Sequence, residues 1–252
     1  MIQKIKKIAN LVLNMGFRYL FFRIFYTIKT KIGWQKKIFP TQTKVSEFTS
    51  LENWRNNLPP FFFYGKEIQN LSKEKKEILV ETFQEIQNGI FTFFNKTKIE
   101  LGKEHDWLVN PSTGYKYNIN KHWSEVQDLS KEAGDIKYVW EKARFSFLYD
   151  VIRYDYHFEA DQSAYAFKEI EDFITKNPIN QGPNYKCSQE ISLRVLNWTF
   201  ALYYYKDSPN LNEALFQKIM HSIYWQIHHI YHNIYFSRIS VRNNHAITET
   251  LL

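Results

Sequence analysis

Apolar residues recur at intervals of three and four along most of the chain, and this helical period constrains the fold more than any other feature. Within the stretch from Ser72 to Phe94, the period runs through Ile78, Leu79, Phe83, Ile86, Ile90 and Phe94. We predict further helices over Gly134 to Tyr156, Ala160 to Lys176, Ser188 to Tyr205 and Asn210 to Phe236. Because no stretch shows a convincing strand-like alternation, the sequence predicts an all-α fold.

Residues 1–60 are interpreted as basic helices with an irregular connection, and residues 61–252 as the main domain. Helices are predicted from Lys4 to Asn14 and from Phe17 to Lys31. The start resembles a signal peptide, but Arg18 and Arg23 interrupt its apolar run and no small-residue cleavage site follows. The same arginines argue against a transmembrane helix. We expect an amphipathic helix packed on the domain, with peripheral membrane attachment as the alternative.

Composition narrows the classes of function. Aromatic residues make up 18% of the chain and suit both core packing and stacking on sugar rings. The net charge of +7 favours an anionic partner without choosing between nucleic acid, membrane and acidic polysaccharide. The single cysteine, Cys187, excludes an intramolecular disulfide and a thiolate metal cluster. His221, His228 and His232 share a helical stripe but lack a partner motif, so we expect no metal and no cofactor.

Two connections between predicted helices share a chemistry. Residues 107–115 and 177–185 each combine Asn-Pro, a Gly and aromatic residues. Asn-Pro starts a turn and Gly permits a positive φ, so a simple turn between helices is enough to explain either stretch taken alone. If helix pairs stack as antiparallel hairpins, equivalent loops emerge at one end and can line a shared cleft. We therefore predict an incomplete toroid of antiparallel helix pairs, with both loops facing its cleft.

The densest polar cluster follows the last long aromatic helix and contains Asn243, Asn244, His245 and Glu249. His245 and Glu249 are four residues apart and share one face of a helix, so we expect the carboxylate to orient the imidazole. Asn243 is also a candidate N-cap, which would explain one amide without any ligand.

An ordered set of motifs extends from Trp107 to this cluster. Its positions are Trp107, Asn110-Pro111, Gly114, His122-Trp123, Asp135-Ile136-Lys137, Trp140-Glu141, Arg144, Asn177-Pro178, Gly182, Asn184, Glu190, Arg194, Asn197-Trp198, Asn243-Asn244-His245 and Glu249. The set resembles the N-terminal domain of heparinase II/III-type polysaccharide lyases. The opening, with Met15 to Tyr19, Gly33 and Phe39-Pro40, is similar to members associated with bacterial surface-polysaccharide gene clusters.

The resemblance implies an incomplete (α/α) toroid, followed in full-length relatives by an antiparallel β-sandwich, and cleavage of uronic-acid-containing chains by β-elimination. In that chemistry, neutralising the uronate carboxylate stabilises the enolate-like anion that forms when the C5 proton leaves. Asn244 and His245 match the family's neutralising pair and are the catalytic candidates. The substrate-binding candidates are Trp140, Glu141, Arg144, Asn184, Tyr185, Glu190, Arg194, Asn243 and Glu249.

The catalytic Tyr of the family lies downstream of the Asn-His pair, and no position of this chain matches it. We therefore expect a truncated chain that lacks the β-sandwich and has negligible turnover alone. The leading hypothesis is a lyase fragment that binds an anionic, uronate-bearing polysaccharide, and the alternative is a non-catalytic glycan-binding module. A basic scaffold for nucleic acid or membrane is less favoured, because the basic residues look scattered. For the compartment, we favour the cytoplasm or inner cell envelope, with the periplasm as the family-based alternative.

Overall fold

The computed structural model describes residues 2–44, 47–62, 71–241 and 244–251. The α-helices are α1 (Ile2–Lys31), α2 (Trp34–Ile38), α3 (Leu51–Asn56), α4 (Glu77–Gln87), α5 (Lys137–Ala143), α6 (Phe147–Phe158), α7 (Ser163–Lys176), α8 (Ser188–Tyr204), α9 (Glu213–Phe236) and α10 (Asn244–Thr250). Two short antiparallel hairpins join β1 (Ile90–Phe93) to β2 (Thr97–Glu100) and β3 (Leu129–Ser130) to β4 (Gly134–Asp135). The predicted all-α class is confirmed.

Helix α8 lies at the centre of the molecule and packs against both α6 and α9. Its Trp198 is fully buried and meets Phe145 and Phe173 edge-on, at ring-centroid distances of 5.4 and 5.7 Å. Trp107 stacks on Phe145 at 5.3 Å. Aromatic pairs of this geometry add to the stabilisation that burial of the rings provides. Many of the chain's aromatic residues therefore form the core.

The prediction of one helix from Ser72 to Phe94 is wrong at both ends. Helix α4 begins at Glu77 and ends at Gln87, and β1 follows it. Between them, Gly89 has a φ of +77°, and a Cβ there would lie 2.2 Å from the backbone of Gly102. Only glycine fits this close approach. The strand was missed because Ile86, Ile90 and Phe94 are spaced by four, as in a helix. The strand's own alternation, with both of its phenylalanines buried and Thr92 exposed, spans only four residues.

The helix predicted from Gly134 to Tyr156 is divided into α5 and α6. Phe145 lies between them with a φ of 61°, a conformation that non-glycine residues rarely adopt. Its ring is fully buried in the aromatic core, which holds the strained backbone in place. The backbone N–H of Lys137 donates to Asp135 Oδ1 at 3.0 Å, so a carboxylate lies at the start of α5.

Helix α8 begins at Ser188, as predicted. Helices α7 and α9 begin later than predicted, α7 at Ser163 and α9 at Glu213, where the Asn212 side chain accepts a hydrogen bond from Leu215 N. Helix α1 is broken at Gly16, which agrees with the prediction of two successive helices. Over the described residues, no helix has the length and hydropathy needed to cross a membrane. Phe39 lies in the same core cluster as Trp198, so the N-terminal segment packs on the main body, and the boundary at residue 60 stays a prediction.

Candidate functional site

A cleft of about 760 Å³ lies where α1 passes over the start of α5, the start of α8 and the C-terminal end of α9. Helix α10 closes one side. Of the predicted site residues that the structure describes, three line this cleft, namely Trp140, His245 and Glu249. Within the described ranges, four cationic residues also line it, namely Arg23, Lys31, Lys137 and Lys186. The cleft therefore combines basic side chains with the polar cluster of the C-terminal segment.

His245 is half-buried on the cleft wall, and its Nδ1 lies 3.9 Å from the Sγ of Cys187. Burial lowers the pKa of His245, with Lys137 acting in the same direction and Glu190 opposing it. A neutral imidazole at physiological pH donates one hydrogen bond and accepts another. Burial also raises the pKa of the Cys187 thiol to about 12, so the sulfur stays protonated. A Cys-His nucleophilic pair needs a thiolate, and this contact does not supply one.

Glu249 is buried and accepts a hydrogen bond from the Ser237 hydroxyl at 2.5 Å. Within the described part of the chain, its other carboxylate oxygen, Oε2, has no hydrogen-bond partner. Burial raises the pKa of Glu249 from 4.5 to about 7. The structure thus holds this carboxylate through Ser237, whereas we predicted that it orients His245.

The buried Glu249 carboxyl leads to a prediction about stability and pH. Because its folded-state pKa lies above its ordinary value, the folded protein holds more protons than the unfolded chain between pH 4.5 and about 7. The contribution of Glu249 to the free energy of unfolding therefore becomes less favourable as pH rises through this window. Glu249→Gln is expected to stabilise the protein by about 1–2 kcal/mol at pH 8 and to change little at pH 4. Urea unfolding at both pH values measures this, and an equal effect at both would contradict it.

Lys137 and Lys186 are cleft cations whose ammonium groups each lie near one carboxylate without a hydrogen bond to it. The Nζ of Lys137 lies 3.9 Å from Asp135, and the Nζ of Lys186 lies 3.9 Å from Asp128. These distances exceed hydrogen-bond length, so the two ammonium groups retain donors for an anionic ligand. Burial lowers the pKa of Lys186, with Asp128 opposing the shift.

Trp140 and Trp123 line the cleft but are only 7% and 3% exposed. The indole N–H of Trp140 donates to the Pro183 carbonyl at 2.9 Å. The indole N–H of Trp107 donates to Asp172 at 2.8 Å, away from the cleft. Ordinary packing accounts for most of the surface of these tryptophans.

Glu141, Arg144 and Glu190 form an internal ion-pair network. The guanidinium of Arg144 hydrogen-bonds both carboxylates, and its Nη2 reaches Glu190 Oε1 at 3.0 Å. Glu141 also accepts from the backbone N–H of Phe94 at 2.9 Å. None of the three lines the cleft. Their contact with substrate stays a prediction.

Asn184, Tyr185 and Arg194 are at most 1% exposed. The Asn184 amide donates to the Trp107 carbonyl at 3.1 Å and to Asn177 Oδ1 at 2.8 Å. The two Asn-Pro loops therefore meet, as predicted for connections at one end of the helix array. They do not line the cleft themselves, although Lys186, directly after the second loop, does. We assign these buried side chains a positioning role.

The Asn pair of the C-terminal cluster is only partly described. Asn244 begins α10 and is exposed, but it is not among the residues that line the cleft. Asn243, with its predicted capping and binding roles, lies outside the described residues.

Lys137, Lys186 and Ser237 line the cleft but were not predicted as site residues from the sequence. A usable signal existed for Lys137, which belongs to the motif set, and for Lys186, which follows the second Asn-Pro loop. In the described ranges, no group of three or more His, Cys, Asp or Glu residues could hold a metal ion. His221, one of the histidines considered for metal binding, shares a hydrogen bond with Thr43 at 3.1 Å.

Comparisons with known proteins add one distant similarity. No family model and no curated protein matches the chain. Among solved structures, it is similar to a mutant of the heparan sulfate lyase HepC from Pedobacter heparinus, with 12% identity and a TM-score of 0.46. The match covers 97% of this chain and 35% of that protein, so the chain spans about a third of its length. This is a distant structural relationship to a polysaccharide lyase, and neither activity nor substrate follows from it.

Proposed function

We propose that the cleft binds uronate units of an acidic polysaccharide, as the carboxylate-recognising part of a β-eliminating lyase. The observation that carries the proposal is the placement of His245 in one cleft with Lys137 and Lys186, two loosely paired cations. Lys137 lies close enough to His245 to influence its pKa. A negatively charged sugar entering the cleft would meet both a neutral imidazole and ammonium groups.

The chemistry of elimination explains the value of this arrangement. The C5 proton of a uronate becomes removable when hydrogen bonds and positive charge stabilise the developing enolate-like anion. His245 would donate one hydrogen bond to the sugar carboxylate, and the two lysines would offset its charge. Asn244, the neighbouring residue at the exposed start of α10, is the proposed second donor for a chain lying along the cleft mouth.

A non-catalytic glycan-binding module remains the second candidate, and Tyr26 favours it. Its ring lines the cleft, but burial raises its pKa to about 12. A phenol with this pKa stays protonated near neutral pH and is a weak proton acceptor. Binding needs no such group, whereas elimination needs a base in addition to His245 and the lysines.

The test is electrophoresis through gels that contain alginate, polygalacturonate, heparan sulfate or neutral dextran. The protein is expected to be retarded by at least one uronate polymer and not by dextran. His245→Ala should weaken that binding about tenfold, because it removes a hydrogen bond to a charged group. His221→Ala, which changes the same residue type outside the cleft, is the matched control.

Unsaturated-uronate absorbance, followed in the same mixtures, tests for elimination. Product that forms with this chain and disappears in His245→Ala supports the lyase over the glycan-binding module. Retardation without product agrees with either candidate, because we expect negligible turnover from this chain alone. Retardation by no uronate polymer, or equal retardation of His245→Ala and the native protein, would refute the proposed site.

A further inference from the structure

Helix α1 exposes an apolar surface on the side opposite the cleft. The residues of this surface, which we call the α1 stripe, are between 49% and 68% exposed. They are Phe17, Phe21, Ile24, Phe25, Ile28 and Ile32. Their spacing of mostly three and four places them on one face of the helix. Six adjoining large apolar side chains form a contiguous patch of the kind that marks an interaction surface.

The opposite face of α1 already has its partners. Phe22 and Tyr26 pack against Phe236 of α9, with ring centroids 6.4 and 4.8 Å apart. Arg23 lies over the same ring at 5.3 Å. The inner face thus attaches the helix to the body, and the α1 stripe points away from it.

Positive charge surrounds the α1 stripe. The first 46 residues contain ten Lys or Arg and no Asp or Glu, whereas the whole chain has a net charge of only +7. On the helix, Arg18 and Lys29 lie along one margin of the stripe and Lys31 along the other. The Nζ of Lys29 lies 4.6 Å from the centroid of Phe25, beside the apolar surface. Seven of these ten basic residues lie within α1.

We propose that α1 binds the surface of an anionic lipid bilayer, with the α1 stripe inserted at the headgroup boundary and the flanking cations on the anionic lipids. Interfacial helices carry an apolar face bordered by Lys and Arg, and α1 has this arrangement, with Arg18, Lys29 and Lys31 at the margins of the stripe. Lys and Arg residues that lie next to a membrane are attracted by its anionic headgroups. A second protein copy would present the same uncompensated basic surface, so charge favours the lipid over self-association. This inference is independent of the polysaccharide proposal.

Membrane contact on this face leaves the cleft accessible. The cleft is lined by the inner side of α1, including Tyr26 and Thr30, whereas the stripe lies on the outer side. A polymer could therefore be bound while the helix rests on a bilayer.

The test is flotation of the protein with vesicles of phosphatidylcholine alone or of phosphatidylcholine with phosphatidylglycerol. The native protein should float only with the anionic vesicles, and raising the salt concentration should weaken binding. Phe21→Ser/Phe25→Ser should weaken it by at least about tenfold, since two exposed rings are lost. Ile78→Ser/Tyr231→Ser removes two exposed apolar side chains elsewhere, on α4 and α9, and should float like the native protein.

Three results would overturn the proposal. The first is that the protein floats with neither type of vesicle, and the second is that it floats equally with both. The third is that the native protein is a dimer in analytical ultracentrifugation and Phe21→Ser/Phe25→Ser converts it to a monomer. The last result would assign the α1 stripe to a second copy of the chain. Because both phenylalanines are exposed, the variant should unfold at the same temperature as the native protein. Thermal unfolding monitored by circular dichroism checks this.

Discussion

Arg194→Met is expected to lower the free energy of unfolding by about 2–4 kcal/mol. Arg194 is fully buried on α8, and its guanidinium donates to Gln226 Oε1 at 2.7 Å, to the Asn184 carbonyl at 3.0 Å and to the Ala143 carbonyl at 3.3 Å. One side chain thus joins α9, the second Asn-Pro loop and the end of α5. Methionine fills a similar volume but leaves three buried acceptors without this donor, and each unpaired group has a desolvation cost.

Denaturant unfolding monitored by circular dichroism measures the effect of Arg194→Met. Arg194→Lys should also destabilise, because an ammonium group does not reproduce the planar donor geometry of a guanidinium. Arg153→Met on the exposed side of α6 is the matched control and should change stability by less than about 0.5 kcal/mol. If Arg194→Met and Arg153→Met had equal effects, the assigned positioning role of Arg194 would be wrong.

Lys142→Met is expected to destabilise the protein by about 3 kcal/mol. The Lys142 side chain is 4% exposed, and its Nζ lies 2.8 Å from Glu169 Oε2, whose side chain is 9% exposed. It also contacts His105 and lies 4.3 Å from the centroid of Phe91. Without the ammonium group, Glu169 would remain a buried charge with no cation beside it, and such a charge is costly.

The matched comparison is the double variant Lys142→Met/Glu169→Gln, which removes the charge as well as its partner. It should recover a large part of the loss, because a buried ion pair often contributes little relative to neutral replacements. Lys176→Met, which breaks an exposed pair with Asp172, should have little effect. A double variant less stable than Lys142→Met would contradict this account of the buried pair.

The helical period predicted most helices because it reports one buried face, and burial of that face governs packing. The same signal failed at Ile90, where the spacing of four continues from Ile86 through a short strand, and at Phe145, where tertiary packing imposes a positive φ. Neither the close approach of Gly89 to Gly102 nor the aromatic environment of Phe145 is visible in a local pattern.

The candidate site was predictable in part. His245 and Glu249 stand out in the sequence because a polar cluster follows an aromatic helix, and both line the cleft. Sequence patterns do not distinguish a ligand-binding Arg from a buried one, so Arg194 was proposed for substrate contact although its donors are used inside the fold. Lys186 was missed because its position in the cleft depends on how α1 packs over the start of α8.

The most direct test of the central claim is a crystal structure of the chain with a bound uronate oligosaccharide from whichever polymer retards the protein. We expect a sugar carboxylate within hydrogen-bond distance of His245, with the Nζ atoms of Lys137 and Lys186 turned towards it. A saccharide bound elsewhere, with the cleft between α1 and α10 empty, would contradict it.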